Sequence, residues 1–133
     1  FNREPLCDQV RAIAARSADI ELHNMDACEF ISTVLVETDD LFANFDPPYV
    51  VKGPGLYENS YTEEDHREVG ARIAACEFPW MVTYDNVPLI SEIYEGFDRY
   101  LIDVGYSAAS SKVGRELLIA GPGVTVPAGV ERA

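Results

Sequence analysis

The chain has 133 residues, enough for one compact domain with its own core but not comfortably for two. Its 10 basic and 23 acidic residues give a formal charge of −13, the wrong sign for a protein that approaches nucleic-acid phosphates through a basic surface. Only two residues are lysines, Lys52 and Lys112, and an acidic, lysine-poor composition is also typical of proteins that stay soluble in concentrated salt. A halophilic source and a generically acidic surface are both open interpretations.

The cysteines and the hydropathy pattern indicate the compartment. Cys7, Cys28 and Cys76 have neither the spacing of a metal site nor an even count, which favours reduced thiols in an intracellular protein. No apolar stretch is long enough to cross a bilayer, and the first residues do not resemble a signal peptide. We therefore expect a cytoplasmic protein. The chain begins at Phe1 rather than Met, which suggests a fragment or a trimmed chain.

The first third of the chain alternates helical and strand patterns. Apolar spacing predicts an amphipathic helix over residues 5–17, and alternation predicts a short strand over 20–25 that stops at Asp26. A second helix is predicted from Cys28 to about Val36, followed by an apolar strand over 41–45. This order is typical of an open α/β sheet with parallel strands, in which ligands bind beyond the carboxyl ends of the strands.

The strand over 41–45 leads into the tetrapeptide Asp46-Pro47-Pro48-Tyr49. The two prolines fix the backbone and provide carbonyls without neighbouring N–H groups. A carboxylate, a fixed carbonyl and an aromatic ring suit a flat ring that bears an amine. The exocyclic amine of adenine is a poor nucleophile until fixed oxygens accept its hydrogens, and Asp46 and the Pro47 carbonyl are candidate acceptors. Tyr49 would stack on a base rotated out of the duplex. The alternative is an ordinary turn from strand to loop.

With this tetrapeptide and the later motifs described below, residues 41–121 resemble the catalytic half of the Dam-like class of DNA adenine-N6 methyltransferases. The resemblance implies transfer of a methyl group from S-adenosylmethionine to the exocyclic amine of a flipped adenine in double-stranded DNA. It implies catalytic roles for Asp46, Pro47 and Tyr49, and no metal. It also implies that Asp26, Ala27 and Asp46 bind the cofactor, although the family often has an aromatic residue where this chain has Ala27. A helix cap is the alternative role for Asp26, and the two roles are compatible.

The segment after Tyr49 is a loop punctuated by glycine and proline, and the resemblance places substrate contacts there. It implies that Pro48 lines the base pocket, that Lys52 meets a phosphate, and that Tyr57 or Tyr61 forms a wall of the pocket. A solvated loop with packed tyrosines is the alternative.

A helix is predicted from Thr62 to about Cys76, with a capping residue and acids in its first turn. Its Asp65-His66 pair matches the family, but a structural or solvated His66 is the favoured interpretation over acid–base catalysis. A strand over 79–84 then ends in Tyr84-Asp85-Asn86. Tyr84 and Asn86 are predicted to line the target-base pocket, or else this region caps a helix over 88–97.

The last third predicts two strands over 100–106 and 116–120, joined by a polar loop over 107–114. So short a connection favours an antiparallel pair, like the terminal hairpin of methyltransferase sheets. Hydroxyls and positive charge concentrate here, which makes Ser110, Lys112 and Arg115 candidates for holding the DNA backbone. Residues 122–133 are predicted to be a loose tail.

Taken together, the expected fold is a Rossmann-like S-adenosylmethionine methyltransferase sheet with a terminal antiparallel hairpin, formed by a partial catalytic domain over 1–121. The glycine-rich turn of the family's first strand and the acid after its second strand have no counterpart before residue 20, so we expect those two strands to be missing. Unpaired strand edges would then make the chain unstable and poorly active alone, unless a second polypeptide supplies the missing half. The alternative function is an inactive fragment or split-protein subunit that binds nucleic acid or a partner chain without catalysis.

Overall fold

A computed structural model describes residues 3–51, 53, 60–106 and 112–133. The fold is mixed α/β, built on an open sheet whose five strands run in the order β1-β2-β4-β3-β5. The strands are β1 (Ala43–Phe45), β2 (Trp80–Asp85), β3 (Asp98–Tyr106), β4 (Lys112–Ala120) and β5 (Glu131–Arg132). β1 and β2 are parallel, whereas every other neighbouring pair is antiparallel. The predicted antiparallel pairing of the last two long strands is therefore confirmed.

Four α-helices and two short 3-10 helices complete the described structure. They are α1 (Arg3–Ala14), α2 (Ala27–Thr33), α3 (Glu63–Ala74) and α4 (Pro88–Ile93), with 3-10 turns at Ser17–Asp19 and Leu35–Glu37. Two of the α-helices begin where the sequence signals a cap. Asp26 Oδ1 accepts hydrogen bonds from the backbone N–H groups of Cys28 (2.8 Å) and Glu29 (3.1 Å), and Thr62 and Asp65 form a reciprocal capping box. None of the helices among the described residues is both long and apolar enough to span a membrane.

One face of the sheet carries the hydrophobic core. Alternate residues of β2 are fully buried, namely Trp80, Val82 and Tyr84, while the intervening residues Met81 and Thr83 are only half-buried. In the β2–β4 register, Val82 lies opposite Ile119 and Tyr84 opposite Leu117, so buried residues line up across the two strands. Helices α2, α3 and α4 complete this layer through Ile31, Val69, Ile73 and Ile90.

The predicted strand over residues 20–25 is wrong. These residues belong to no sheet, and Leu22 is 93% exposed. A strand needs a neighbour to satisfy its backbone groups, and the described chain offers none at this place. Helix α1 exposes its apolar side chains Leu6, Val10 and Ile13 in the same way.

The far end of the chain also differs from expectation. Instead of a loose tail throughout, residues 131 and 132 form β5, which pairs with Leu101 and Tyr100 of β3. Helix α4 stops at Ile93 rather than continuing to residue 97. Gly96, with φ of 96°, turns the backbone into the left-handed region that glycine adopts readily, and the chain then enters β3.

Candidate functional site

The carboxylate of Asp46 leaves the sheet at the carboxyl end of β1 and is exposed. The parallel register places Phe45 opposite Val82, so the next residue of β2, Thr83, lies beside Asp46. The Thr83 hydroxyl donates a hydrogen bond to Asp46 Oδ1 at 3.2 Å. Within the described part of the chain, Asp46 Oδ2 makes no hydrogen bond. One carboxylate oxygen is therefore fixed by the sheet, and the other remains available to a ligand.

Three residues further on, Tyr49 is held by a side chain of another strand, β4. Its hydroxyl donates a hydrogen bond to Oε2 of Glu116 in β4 at 2.7 Å, and its ring centroid lies 6.3 Å from that of Tyr84. Burial raises the pKa of the Tyr49 phenol far above its ordinary value, the hydrogen bond to Glu116 raises it further, and a hydrogen bond with Thr83 opposes both. The phenol is therefore neutral at physiological pH, which suits a packing or stacking role better than proton transfer.

The backbone after Tyr49 is fixed by Asp85, the last residue of β2. Asp85 Oδ1 accepts the N–H of Val50 at 3.0 Å, and Oδ2 accepts the N–H of Val51 at 2.7 Å. Asp85 is only 7% exposed. The sequence marks Asp85 as part of a polar strand end, but it does not reveal which backbone groups the carboxylate binds. The contributions of Thr83 and Glu116 have no local sequence signal at all.

A cavity of about 440 Å³ opens beside the turn. Four further residues predicted from the sequence as catalytic, substrate-binding or cofactor-binding lie on its wall together with Asp46: Ala27, Pro47, Pro48 and Tyr61. The rest of the wall is mainly apolar and includes Phe30, Leu41 and Phe45. Tyr49 does not line this cavity. The fold thus brings most of the predicted catalytic and cofactor residues to one concave surface, formed where β1 meets α2 and α3.

Asp26 lies at the margin of this surface. It is exposed and lines a second cavity of about 250 Å³, which shares Tyr61 and Val69 with the larger one. Both capping hydrogen bonds use Oδ1, so the helix-cap role of Asp26 is confirmed while Oδ2 makes no hydrogen bond among the described residues. Burial raises the pKa of Tyr61, and the negative charge of Asp26 raises it further.

Tyr84 and Asn86 are placed differently from one another. Tyr84 is fully buried, so the prediction that its side chain lines a base pocket is wrong; its hydroxyl lies instead 3.4 Å from His66 Nδ1. Asn86 is exposed just beyond β2, where a pocket role stays a prediction. The alternative, a polar side chain that caps α4, is wrong. Val87 occupies the N-cap position, and its side chain makes no capping hydrogen bond.

The structure describes only some of the residues predicted to contact the DNA backbone. Arg115 is exposed in β4 but forms ion pairs with Asp103 (3.4 Å) and Glu131, so its charge is already compensated within the sheet. Lys112 begins β4. Lys52, Tyr57 and Ser110 lie outside the described residues.

His66 is enclosed by aromatic rings and is 2% exposed. The rings of Tyr61 and Tyr84 meet it edge-on, with centroids 5.3 and 5.7 Å away. Burial lowers the pKa of the imidazole, although the negative charges of Asp85 and Asp65 oppose that effect. The structural interpretation of His66 therefore agrees with its position in the core.

Comparison with known proteins adds no family to this geometry. No protein-family model matches the chain, and no curated protein is significantly similar to it. In the described part of the chain, no group of three or more His, Cys, Asp or Glu side chains is placed to hold a metal ion.

Proposed function

We propose that this chain is the catalytic half of an S-adenosylmethionine-dependent DNA adenine-N6 methyltransferase with a Rossmann-like sheet. One observation carries the proposal. Asp46 ends a parallel strand with one oxygen fixed by Thr83 and the other without a described partner, and it stands with Pro47 and Pro48 on the wall of the 440 Å³ cavity. This is where open α/β sheets bind their ligands.

The chemistry follows from where the acceptors stand. Asp46 Oδ2 and the Pro47 carbonyl would accept the two hydrogens of the adenine amine, which turns the nitrogen lone pair toward the incoming carbon. Fixed acceptors of this kind act without reorganising during the reaction, and most of the rate arises from positioning. The neutral Tyr49 ring would stack on the flipped base. The proton released from nitrogen passes to Asp46 or to water.

The residues present fit the adenosine end of the cofactor. Small-molecule cavities span roughly 300–1,000 Å³ and are mostly apolar, as this cavity is. The Ala27 backbone and Asp26 Oδ2 would hold the adenine, and S-adenosylmethionine supplies the electrophilic methyl group. Neither of the two cavities has a described lysine or arginine on its wall, so the group that binds the methionine carboxylate must come from another part of the protein or from a partner.

A second polypeptide is part of the proposal for two reasons. β1 lies at the edge of the sheet, so a further strand can pair with its outer side. The chain carries a net charge of −13, and the described Arg115 is already paired with carboxylates. Positive charge for double-stranded DNA must therefore come largely from that partner. The open edge equally favours the alternative, a non-catalytic subunit that binds a partner chain.

The deciding experiment is transfer of tritiated methyl groups from S-adenosylmethionine to unmethylated duplex DNA by the chain within its complete reading frame. Asp46→Ala should lower the rate at least about 10²-fold, because it removes the preorganised carboxylate that accepts a hydrogen of the adenine amine. The matched control is Asp39→Ala, at an exposed aspartate in the loop before β1. Undiminished transfer by Asp46→Ala discards the catalytic assignment. No transfer by the unsubstituted protein, with no heat of S-adenosylmethionine binding in calorimetry, favours the non-catalytic subunit.

A further inference from the structure

The turn that carries Asp46 and Tyr49 is held by side chains of two neighbouring strands, β2 and β4. Thr83 and Asp85 project from the same side of β2, two residues apart, and Glu116 projects from β4. Together they bind both ends of the turn and its backbone: the Asp46 carboxylate, the Tyr49 hydroxyl, and the N–H groups of Val50 and Val51. These three residues are called the strand brace below.

The strand brace contains two buried carboxylates, an arrangement that by itself lowers the stability of the fold. Asp85 and Glu116 are direct partners in the β2–β4 register, and they are 7% and 4% exposed. Two carboxylates opposite one another in a sheet repel, and a buried carboxylate destabilises the fold unless donors surround it. Donors to these two carboxylates include the Tyr49 hydroxyl and the N–H groups of Val50 and Val51, all of which belong to the turn. The turn itself lacks N–H groups at Pro47 and Pro48, so it cannot be fixed by its own backbone there.

We propose that Thr83, Asp85 and Glu116 are positioning residues that set the Asp46 carboxylate and the Tyr49 ring at a fixed separation and angle. Thr83 is central, because its hydroxyl donates a hydrogen bond to Asp46 Oδ1 at 3.2 Å. This inference rests on the proposed methyl transfer, since an acceptor and a stacking ring must grip the same base. Displacement of a reacting group by about 1 Å costs on the order of 10²-fold in rate.

Thr83→Val tests the brace most directly, because it removes the hydroxyl, keeps the branched shape, and changes a half-buried residue. We expect kcat for methyl transfer to fall by about 10-fold to 10²-fold with little change in KM for S-adenosylmethionine, and Thr83→Ser to restore most of kcat. The matched control is Thr38→Val, which removes an exposed hydroxyl that donates to the Val34 carbonyl at 2.9 Å, away from the turn. Equal rates for Thr83→Val, Thr83→Ser and the unsubstituted protein overturn the proposal.

A second measurement does not depend on catalysis. In nuclear magnetic resonance spectra, the Val50 and Val51 amides should be shifted downfield and exchange slowly, because each donates to a carboxylate oxygen. Asp85→Asn leaves one carbonyl oxygen for two N–H groups, so we expect at least one amide to exchange at least about 10-fold faster. Unchanged exchange of both amides overturns the brace. A protein that shows the amide effects but no methyl transfer under any condition refutes the proposed function alone.

Discussion

At the scale of single residues, three tyrosines show how the surroundings of a hydroxyl decide its contribution to the stability of the fold. Burial raises the phenol pKa of Tyr49, Tyr84 and Tyr94 alike. Their partners differ: Tyr49 donates to Glu116, Tyr84 lies near His66, and the buried Tyr94 hydroxyl has no hydrogen-bond partner among the described residues. A buried hydroxyl without a hydrogen-bond partner has already lost its hydration, so removing it should not lower the free energy of unfolding.

The first prediction compares two removals of the same atom. Tyr94→Phe should leave the free energy of unfolding unchanged or raise it by up to about 1 kcal/mol, because an unpaired buried hydroxyl disappears. Tyr49→Phe should lower it by about 1.5–3 kcal/mol, because Glu116 loses a charge-assisted hydrogen bond. Urea denaturation followed by circular dichroism measures both. Equal losses for the two variants would contradict the described hydrogen bonds.

The second prediction concerns His66, whose pKa is lowered in the folded protein chiefly by burial. The unfolded chain then binds a proton more readily than the folded one, so stability rises with pH. The contribution of His66 is complete above its unfolded pKa of about 6.5, and it is lost as the pH falls through the lower folded value. The urea concentration at the unfolding midpoint should decrease when the pH is lowered from 7.5 to 5.5, and the decrease should be smaller in His66→Phe. An identical fall in that variant would assign the effect to other groups.

Residue identity alone reveals part of the candidate site. Asp46 and Pro47 are conspicuous in the sequence because they are adjacent and chemically unusual, and the fold places them on one cavity wall. Glu116 is 67 positions from the Tyr49 that it binds, a distance over which no local pattern operates. Tyr84 shows the converse error: a polar strand end suggests a pocket, but the alternation along β2 turns this ring into the core.

At the scale of elements, local signals predict helices better than strands. Helix α3 begins at Glu63, directly after its N-cap Thr62, because the capping box lies within four consecutive residues. Residues 20–25 alternate like a strand, yet pairing depends on a neighbour that the sequence pattern cannot supply. β5 shows the opposite case, since Glu131 and Arg132 have little strand character and are extended by pairing with β3.

The third prediction concerns the packing between β2 and the segment that follows β4. A Cβ atom at Gly121 would lie 2.3–2.6 Å from the indole ring of Trp80, and the Gly121 N–H donates to the Trp80 carbonyl at 2.9 Å. Gly121→Ala should therefore destabilise the fold by about 1–3 kcal/mol through overpacking. Gly105→Ala is the control, because a Cβ atom added there would meet no atom of the other described residues within 4 Å, its two chain neighbours aside. Chemical denaturation should separate the two, and similar midpoints would contradict the close packing.

At the scale of the whole molecule, charge and sheet topology bear on the same question. The open sheet has β1 at one edge. The net charge of −13 causes repulsion among the acidic residues of the chain and between the chain and nucleic acid. The mixed sheet and its terminal hairpin agree with the expected fold. The Rossmann-like assignment and the missing strands stay predictions.

The fourth prediction follows from the charge. Repulsion among 23 acidic residues, with 10 basic residues to offset it, should dominate over the few exposed ion pairs. Raising NaCl from 0.01 to 1 M shortens the screening length from about 30 to about 3 Å, so the thermal midpoint should rise. Differential scanning calorimetry measures it. A falling midpoint would mean that attractive ion pairs outweigh the repulsion.

The burial of Trp80 gives the molecule an internal optical label. It is the only tryptophan in the chain, it is fully buried in contact with the rings of Tyr94 and Phe97, and its indole nitrogen has no hydrogen-bond acceptor among the described residues. An indole in such dry surroundings emits at shorter wavelength than one in water. The emission wavelength of the native protein therefore reports whether Trp80 stays buried in the core, without any dye or added chromophore.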